Sequence, residues 1–142
     1  MKLVKVFPAV VMLLIVFITG CIKKDDLTGV PPKVTSTNPI SEAVSIPVGT
    51  KISAVFSADM NPSTMTTLNF VVMQGTEVVP GTVSYSDSTA MFTPTAVLSA
   101  STLYNIKIST GAKNNSGFGL TKDYTWSFTT GALPDLAKPQ LL

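Results

Sequence analysis

Cys21 is the residue with the clearest chemistry in this chain, because it is the only cysteine among 142 residues. It follows two small residues that end the apolar segment 6–18, and Lys2 and Lys5 precede that segment. Basic residues, then an apolar core, then small residues are the order of a secretory signal peptide. The apolar core is also shorter than the ~20 residues that span a bilayer. We therefore predict that residues 1–20 are a signal peptide and that Cys21, which carries the only thiol, directly follows it.

Ile18, Thr19 and Gly20, followed by Cys21, resemble a bacterial lipobox. The resemblance implies cleavage before Cys21, with lipid attached to its thiol and to the new amino terminus. Each buried methylene contributes ~0.8 kcal/mol, so two or more acyl chains hold a protein stably on a membrane where one chain does not. The membrane would then be a partner of the protein through Cys21. The alternatives are an ordinary secretory signal, or an uncleaved anchor, with an incidental cysteine.

Lys24, Asp25 and Asp26 lie in the tether that we assign to residues 21–32. They resemble the lysine-plus-paired-acid signal that sends Bacteroidota-type lipoproteins to the outer face of the outer membrane. The alternative is a solvated linker that keeps the domain away from the lipid. We expect a lipid-anchored protein of the cell envelope, at the outer membrane, with surface exposure left open.

The composition excludes several kinds of function. The chain has ten lysines and no arginine, so without Lys2 and Lys5 eight lysines balance eight acidic residues. A nucleic-acid partner is not expected, because such proteins need clustered cationic charge. The sequence also has no histidine, the commonest general base and transition-metal ligand. We therefore expect no enzyme, no cofactor and no metal site.

Alternating apolar and polar residues recur between residues 33 and 131, separated by turn-forming residues such as Gly75, Pro80 and Gly131. This period of two indicates short β-strands. Many short strands in about a hundred residues predict an all-β fold, an immunoglobulin-like antiparallel β-sandwich of about seven strands. The alternation also places Leu68 and Tyr124 inward. The residues expected in the core are Ile52, Phe56, Phe70, Val72, Phe92, Tyr104, Ile106, Ile108, Trp126 and Phe128.

Two short segments are predicted to be helical turns. Asn61 before Pro62 has the pattern of an N-cap residue followed by a proline in the first helical position. The segment 96–100 is a weaker candidate, placed where the chain would cross between sheets. Tyr104, just after that crossing, has the position of a tyrosine corner, with its hydroxyl bonded to backbone near Val97 or Leu98.

A family resemblance extends over about residues 32–131. These segments resemble, in their order, the bacterial Ig-like domains of the S-layer-protein (SbsA-type) family. The matching segments are 32–39, 48–52, 56–64, 81–85, 92–94, 103–104 and 126–131. The resemblance implies a spacer or adhesion module without catalytic residues, whose partner would be a surface protein or a polysaccharide.

Similar lipobox-plus-Ig segments precede ice-binding domains of the β-solenoid kind in some bacterial surface proteins. Residues 132–142 have the composition of a linker-like tail. The chain is therefore either a complete module or the truncated N-terminal part of a multidomain ice-binding or adhesive protein.

Three groups of polar residues are candidates for ligand binding. Thr125, Ser127 and Thr129 form an outward row of hydroxyls on the last strand, at a repeat of ~6.8 Å that could order water, ice or a glycan. Such rows are also ordinary solvent faces of exported β domains. Asn114 and Asn115 begin a loop that could contact a glycan. The scattered acids, among them Asp59 beside Asn61, lack the dense ligand spacing of a calcium loop, and we expect Asp59 and Asn61 to cap the short helix.

Overall fold

The computed structural model describes residues 29–134, so the signal peptide, the lipobox and most of the C-terminal tail lie outside it. Within this part of the chain no helix reaches the length and apolarity needed to cross a bilayer. One 3₁₀ turn spans Pro62–Thr64. The strands are β1 Val34–Asn38, β2 Ala43–Ile46, β3 Ile52–Phe56, β4 Phe70–Gln74, β5 Glu77–Val78, β6 Gly81–Ser86, β7 Thr89–Pro94, β8 Leu103–Ile108 and β9 Tyr124–Thr130.

The strands form two sheets, which confirms the immunoglobulin-like sandwich. One sheet has the order β1-β3-β7-β6 and the other the order β2-β9-β8-β4-β5. The described chain has nine strands against the expected seven or so, and β2 pairs with β9 in parallel, not antiparallel. The strands that the apolar alternation does not indicate are β1, β2 and β5. Their sequences are too short or too polar to show the apolar alternation on which the strand prediction rested.

All ten residues assigned to the core are buried, at 4% exposure or less. Phe70 is central to their packing, because its ring lies 5.9 Å from that of Phe92 in the opposite sheet and 6.0 Å from that of Trp126 in its own sheet. The inward placement of Leu68 was wrong: it is 84% exposed, because β4 begins only at Phe70. Tyr124 lies on the same face of β9 as Trp126 and Phe128, but at the first position of the strand it is 36% exposed.

The loops complete the core in ways that alternation does not reveal. Their apolar side chains close the ends of the sandwich, where no strand periodicity exists. The buried loop residues are Met60, Met65, Leu98, Ala112 and Leu120.

The tyrosine corner is present at the crossing between β7 and β8. The Tyr104 hydroxyl accepts a hydrogen bond from Ser99 N at 2.8 Å and donates to Gln74 Oε1 at 3.3 Å. The backbone partner is thus one residue beyond Leu98. Segment 96–100 forms no helix, since it is bends and irregular chain between the two sheets. Tyr104 therefore fixes a crossing that has no regular structure of its own.

Asn61 caps the 3₁₀ turn as expected, because its Oδ1 accepts from Ser63 N at 3.0 Å and Pro62 follows it. Asp59 does not cap this turn. Its carboxylate accepts from the Ser88 hydroxyl and so ties the β3–β4 connection to the turn between β6 and β7. The two residues have different roles because only Asn61 directly precedes the turn.

Replacing Phe128 by alanine should destabilise the domain by about 3–5 kcal/mol, because Phe128 is fully buried and stacks on Tyr104 at 5.6 Å. Leu103→Ala in the neighbouring strand is the matched control, since Leu103 is 52% exposed. Urea denaturation followed by circular dichroism measures both changes. Equal, small losses of stability in the two variants would contradict the core assignment.

Candidate functional site

The lipobox residues and Cys21, together with Lys24, Asp25 and Asp26, lie outside the described residues. Their roles in processing and export stay predictions. The candidate sites that the structure does describe are the hydroxyl row on β9 and the loop at Asn114.

The hydroxyl row lies on the outer face of the five-stranded sheet. Thr125 is exposed, and Ser127 and Thr129 are partly buried. Pairing of β9 with β8 sets Thr125 opposite Lys107, Ser127 opposite Asn105 and Thr129 opposite Leu103. Residues directly opposite each other share a face of the sheet. The neighbouring row toward β4 is therefore lysine, asparagine and leucine, and does not widen the hydroxyl row into an array.

A shallow groove of about 460 Å³ crosses this face over β8 and β9. The residues that line it include Ser41, Met73, Asn105, Lys107, Thr125 and Ser127. Hydroxyl and amide groups both donate and accept hydrogen bonds. Ligand pockets commonly have volumes of about 300–1,000 Å³. The groove is therefore large enough for a small ligand, and its lining places a few hydroxyl and amide groups within a surface that is more apolar than polar.

Lys107 is the charged residue of the groove lining, and it has a counter-ion beside it. Its Nζ lies 3.9 Å from Asp123 Oδ2, with both side chains about half exposed, at 45% and 46%. An exposed pair of this kind contributes little to stability. It does offset the positive charge locally, so the groove does not favour an anion strongly.

The groove was only partly predictable. The sequence indicates Thr125 and Ser127 as candidates, but it does not indicate Asn105 and Lys107 as lining residues. The alternation on β8 was the signal that could have found these two residues, because the exposed positions of that strand are Leu103, Asn105 and Lys107. What the sequence could not supply is the register that sets these residues beside β9.

The loop between β8 and β9 holds Asn114 in a structural position. Asn114 is 5% exposed, its Oδ1 accepts from Phe118 N at 2.9 Å, and its Nδ2 donates to Val30 O at 3.4 Å. Asn115 is exposed, and its backbone N donates to Asp59 O at 3.2 Å. A ligand would have to displace bonds that order the loop in order to use the Asn114 amide. Ligand binding at these two residues stays a prediction.

The described residues offer little for metal binding. Between residues 29 and 134 no three residues of the types His, Cys, Asp and Glu lie close enough together to hold an ion. Asp59 interacts with Ser88, and Asp123 Oδ1 accepts from Thr110 N at 3.1 Å. These carboxylates are thus engaged in holding loops.

A family model for the bacterial Ig-like domain matches residues 28–130, which is most of the chain. The chain belongs to this family. The match agrees with the resemblance seen in the sequence, and its span contains all nine strands. A comparison with curated proteins finds no match.

Several solved structures share the fold. Domains 1–6 of the surface layer protein SbsC match at 24% identity with a TM-score of 0.55, over 72% of this chain and 14% of that one. CopC from Methylosinus trichosporium OB3b matches at 11% identity with a TM-score of 0.61, over 74% of this chain and 98% of that one. The LD transpeptidase LdtMt1 matches at 16% identity with a TM-score of 0.52, over 70% and 40%. At these identities the similarity shows the fold alone.

Asn114→Ala should destabilise the domain by about 1–3 kcal/mol, because it removes a buried amide and its hydrogen bonds to Phe118 N and Val30 O. Asn115→Ala is the matched control and should change stability by less than about 0.5 kcal/mol, since its side chain is exposed. Thermal denaturation of the full chain compares the two. Similar melting temperatures for both variants would contradict the structural role of Asn114.

Proposed function

We propose that this protein is a non-catalytic module of the cell envelope, held on the membrane by lipid on Cys21, and that it serves as a spacer or adhesion domain. The observation that carries the proposal is the order of its parts. Residues 1–20, which have the pattern of a signal peptide, precede the only cysteine, and a short tether and a bacterial Ig-like sandwich follow it. Outer-membrane placement, directed by Lys24, Asp25 and Asp26, is part of the same proposal.

The chemistry of the chain supports a role without catalysis. The sequence contains neither histidine nor arginine, and lipid on Cys21 would consume its one thiol. The acids with side-chain partners in the described part of the chain, Asp59 and Asp123, hold loops. A transpeptidase with the same fold does not argue for an enzyme here, because the similarity covers only 40% of that protein.

Ligand binding at the outer sheet face is a second candidate function, and the groove over β8 and β9 is the observation that favours it. Its hydroxyl and amide groups lie beside apolar surface, a combination that suits a neutral glycan better than ice, because an ice-binding face needs hydroxyls on several strands. A glycan array with the full chain separates the two functions. A spacer gives no signal, whereas binding that is lost in Thr125→Ala and retained in Ser36→Ala, on the other sheet, would establish the second function.

Cells fed a fatty-acid analogue should label the wild-type protein and not the Cys21→Ser variant, because the proposed anchor requires the Cys21 thiol. The unlabelled variant should stay unprocessed or leave the membrane fraction. Lys23→Ala, in the tether, is the control and should be labelled normally. An unlabelled wild-type protein would contradict lipid anchoring while leaving the fold untouched.

A further inference from the structure

Strand β6 is an open edge of the four-stranded sheet. It pairs with β7 along its whole length, from Gly81 opposite Pro94 to Ser86 opposite Thr89. On its other side, no residue between 29 and 134 bonds to its backbone. Its six residues are Gly81, Thr82, Val83, Ser84, Tyr85 and Ser86, none of them charged.

The hairpin at the end of β6 shows which backbone groups face the open side. Asp87 and Ser88, with φ of 48° and 58°, form a two-residue turn that joins Ser86 to Thr89. The residues flanking such a turn form a hydrogen-bonded pair, and bonded and non-bonded pairs then alternate along the ladder. The N–H and C=O groups of Gly81, Val83 and Tyr85 therefore point away from β7.

The other end of the hairpin agrees with this assignment. Gly81 lies opposite Pro94, which has no N–H to donate, and the next pair is closed by a bond from Thr95 N to Pro80 O at 3.0 Å. A side-chain hydrogen bond also fixes the end of the strand that carries these free backbone groups. The Tyr85 hydroxyl, on the inner side, accepts from Met60 N at 2.7 Å, which anchors the end of β6 beside the 3₁₀ turn.

The other three edge strands carry features that discourage pairing with another strand. β5 has only two residues, one of them Glu77. β2 has four residues and an irregular register against β9. β1 has a register shift between Val34 and Ser36, typical of a bulge. β6 is longer, regular and uncharged, and so lacks these features.

The sequence of β6 is complementary to itself. In an antiparallel pair of two copies with the two-fold axis at Val83, Val83 lies opposite Val83 of the second copy and Gly81 lies opposite Tyr85. These are the residues with free backbone groups, and each such pair can exchange both of its N–H···O bonds. Thr82 then faces Ser84, which sets hydroxyl beside hydroxyl on the solvent side. No charged residues meet, and the two-fold symmetry closes the assembly at two copies.

We propose that β6 is a dimerisation edge, at which two copies of this chain pair antiparallel and join their four-stranded sheets into one. The inference goes beyond the proposed function and does not depend on the lipid. An uncharged, regular strand with free backbone groups is matched by its own copy without any repulsive contact. The outer face of the other sheet stays open in this dimer.

Disulfide trapping in the full chain tests the pairing. The double variant Thr82→Cys/Ser84→Cys brings the new thiols into facing, non-hydrogen-bonded positions, so mild oxidation should give a covalent dimer on a non-reducing gel. The wild type controls for Cys21. Thr35→Cys/Thr37→Cys, with the same spacing on β1, controls for random collision. A dimer band no stronger than in the β1 variant would overturn the proposal.

A second variant tests the dimer without cross-linking. Ser84 is exposed, so Ser84→Lys should leave the melting temperature of the monomer unchanged and set two like charges near the two-fold axis. Analytical ultracentrifugation of the full chain in detergent should show two copies for the wild type and for Ser36→Lys, and one copy for Ser84→Lys. A wild type that remains monomeric, or a Ser84→Lys variant that remains dimeric, would contradict β6 pairing.

Discussion

The contact between Phe70 and Phe92 across the gap between the two sheets is the interaction on which the rest of the structure depends. Phe70 also meets Trp126 edge-on, so one ring links β4 to β7 and to β9. The described part of the chain contains no cysteine, so no disulfide joins the sheets there, as one does in antibody domains. Burial of apolar surface, with ~0.5–1.5 kcal/mol more for a favourable aromatic pair, must hold the sheets together.

Hydrogen bonds from polar side chains order the loops at the ends of the sandwich, outside this core. Tyr104 fixes the crossing before β8 through Ser99, Asp59 ties the β3–β4 connection to Ser88, and Asn114 closes the loop before β9. Each binds a backbone or hydroxyl group of a loop at the ends of the sandwich. These side chains thus belong to the scaffold, whereas the outer sheet face and the β6 edge remain free for partners.

Much of the fold could be predicted from the sequence because burial imposes a period of two on strands with one solvent-facing side. Trp126 and Phe128 on β9 are the clearest example, and Ile106 and Ile108 on β8 follow the same rule. The rule failed at Leu68, where apolar alternation continued beyond the end of a strand. It was silent for β1, whose sequence is mostly polar, and for β2, whose four residues are too few to show the pattern.

The site was less predictable than the fold, since it depends on neighbours that are distant in the sequence. Alternation correctly put Thr125 and Ser127 on the outer face, but only register sets Asn105 and Lys107 beside them. The sequence suggests Asn114 as a ligand contact, whereas the path of the loop buries its amide and bonds it to Phe118 N and Val30 O. Residue type alone cannot distinguish a structural amide from a binding one.

The central claim of this account is that the two sheets are stable only together, through one shared core. Native-state hydrogen exchange of the full chain tests it most directly, because it gives the opening free energy of each amide. We predict the same free energy, equal to that of global unfolding, for Ala54 and Met91 in one sheet and for Val72 and Trp126 in the other. Exchange of one sheet through an opening of much lower free energy, while the other stays protected, would contradict the claim.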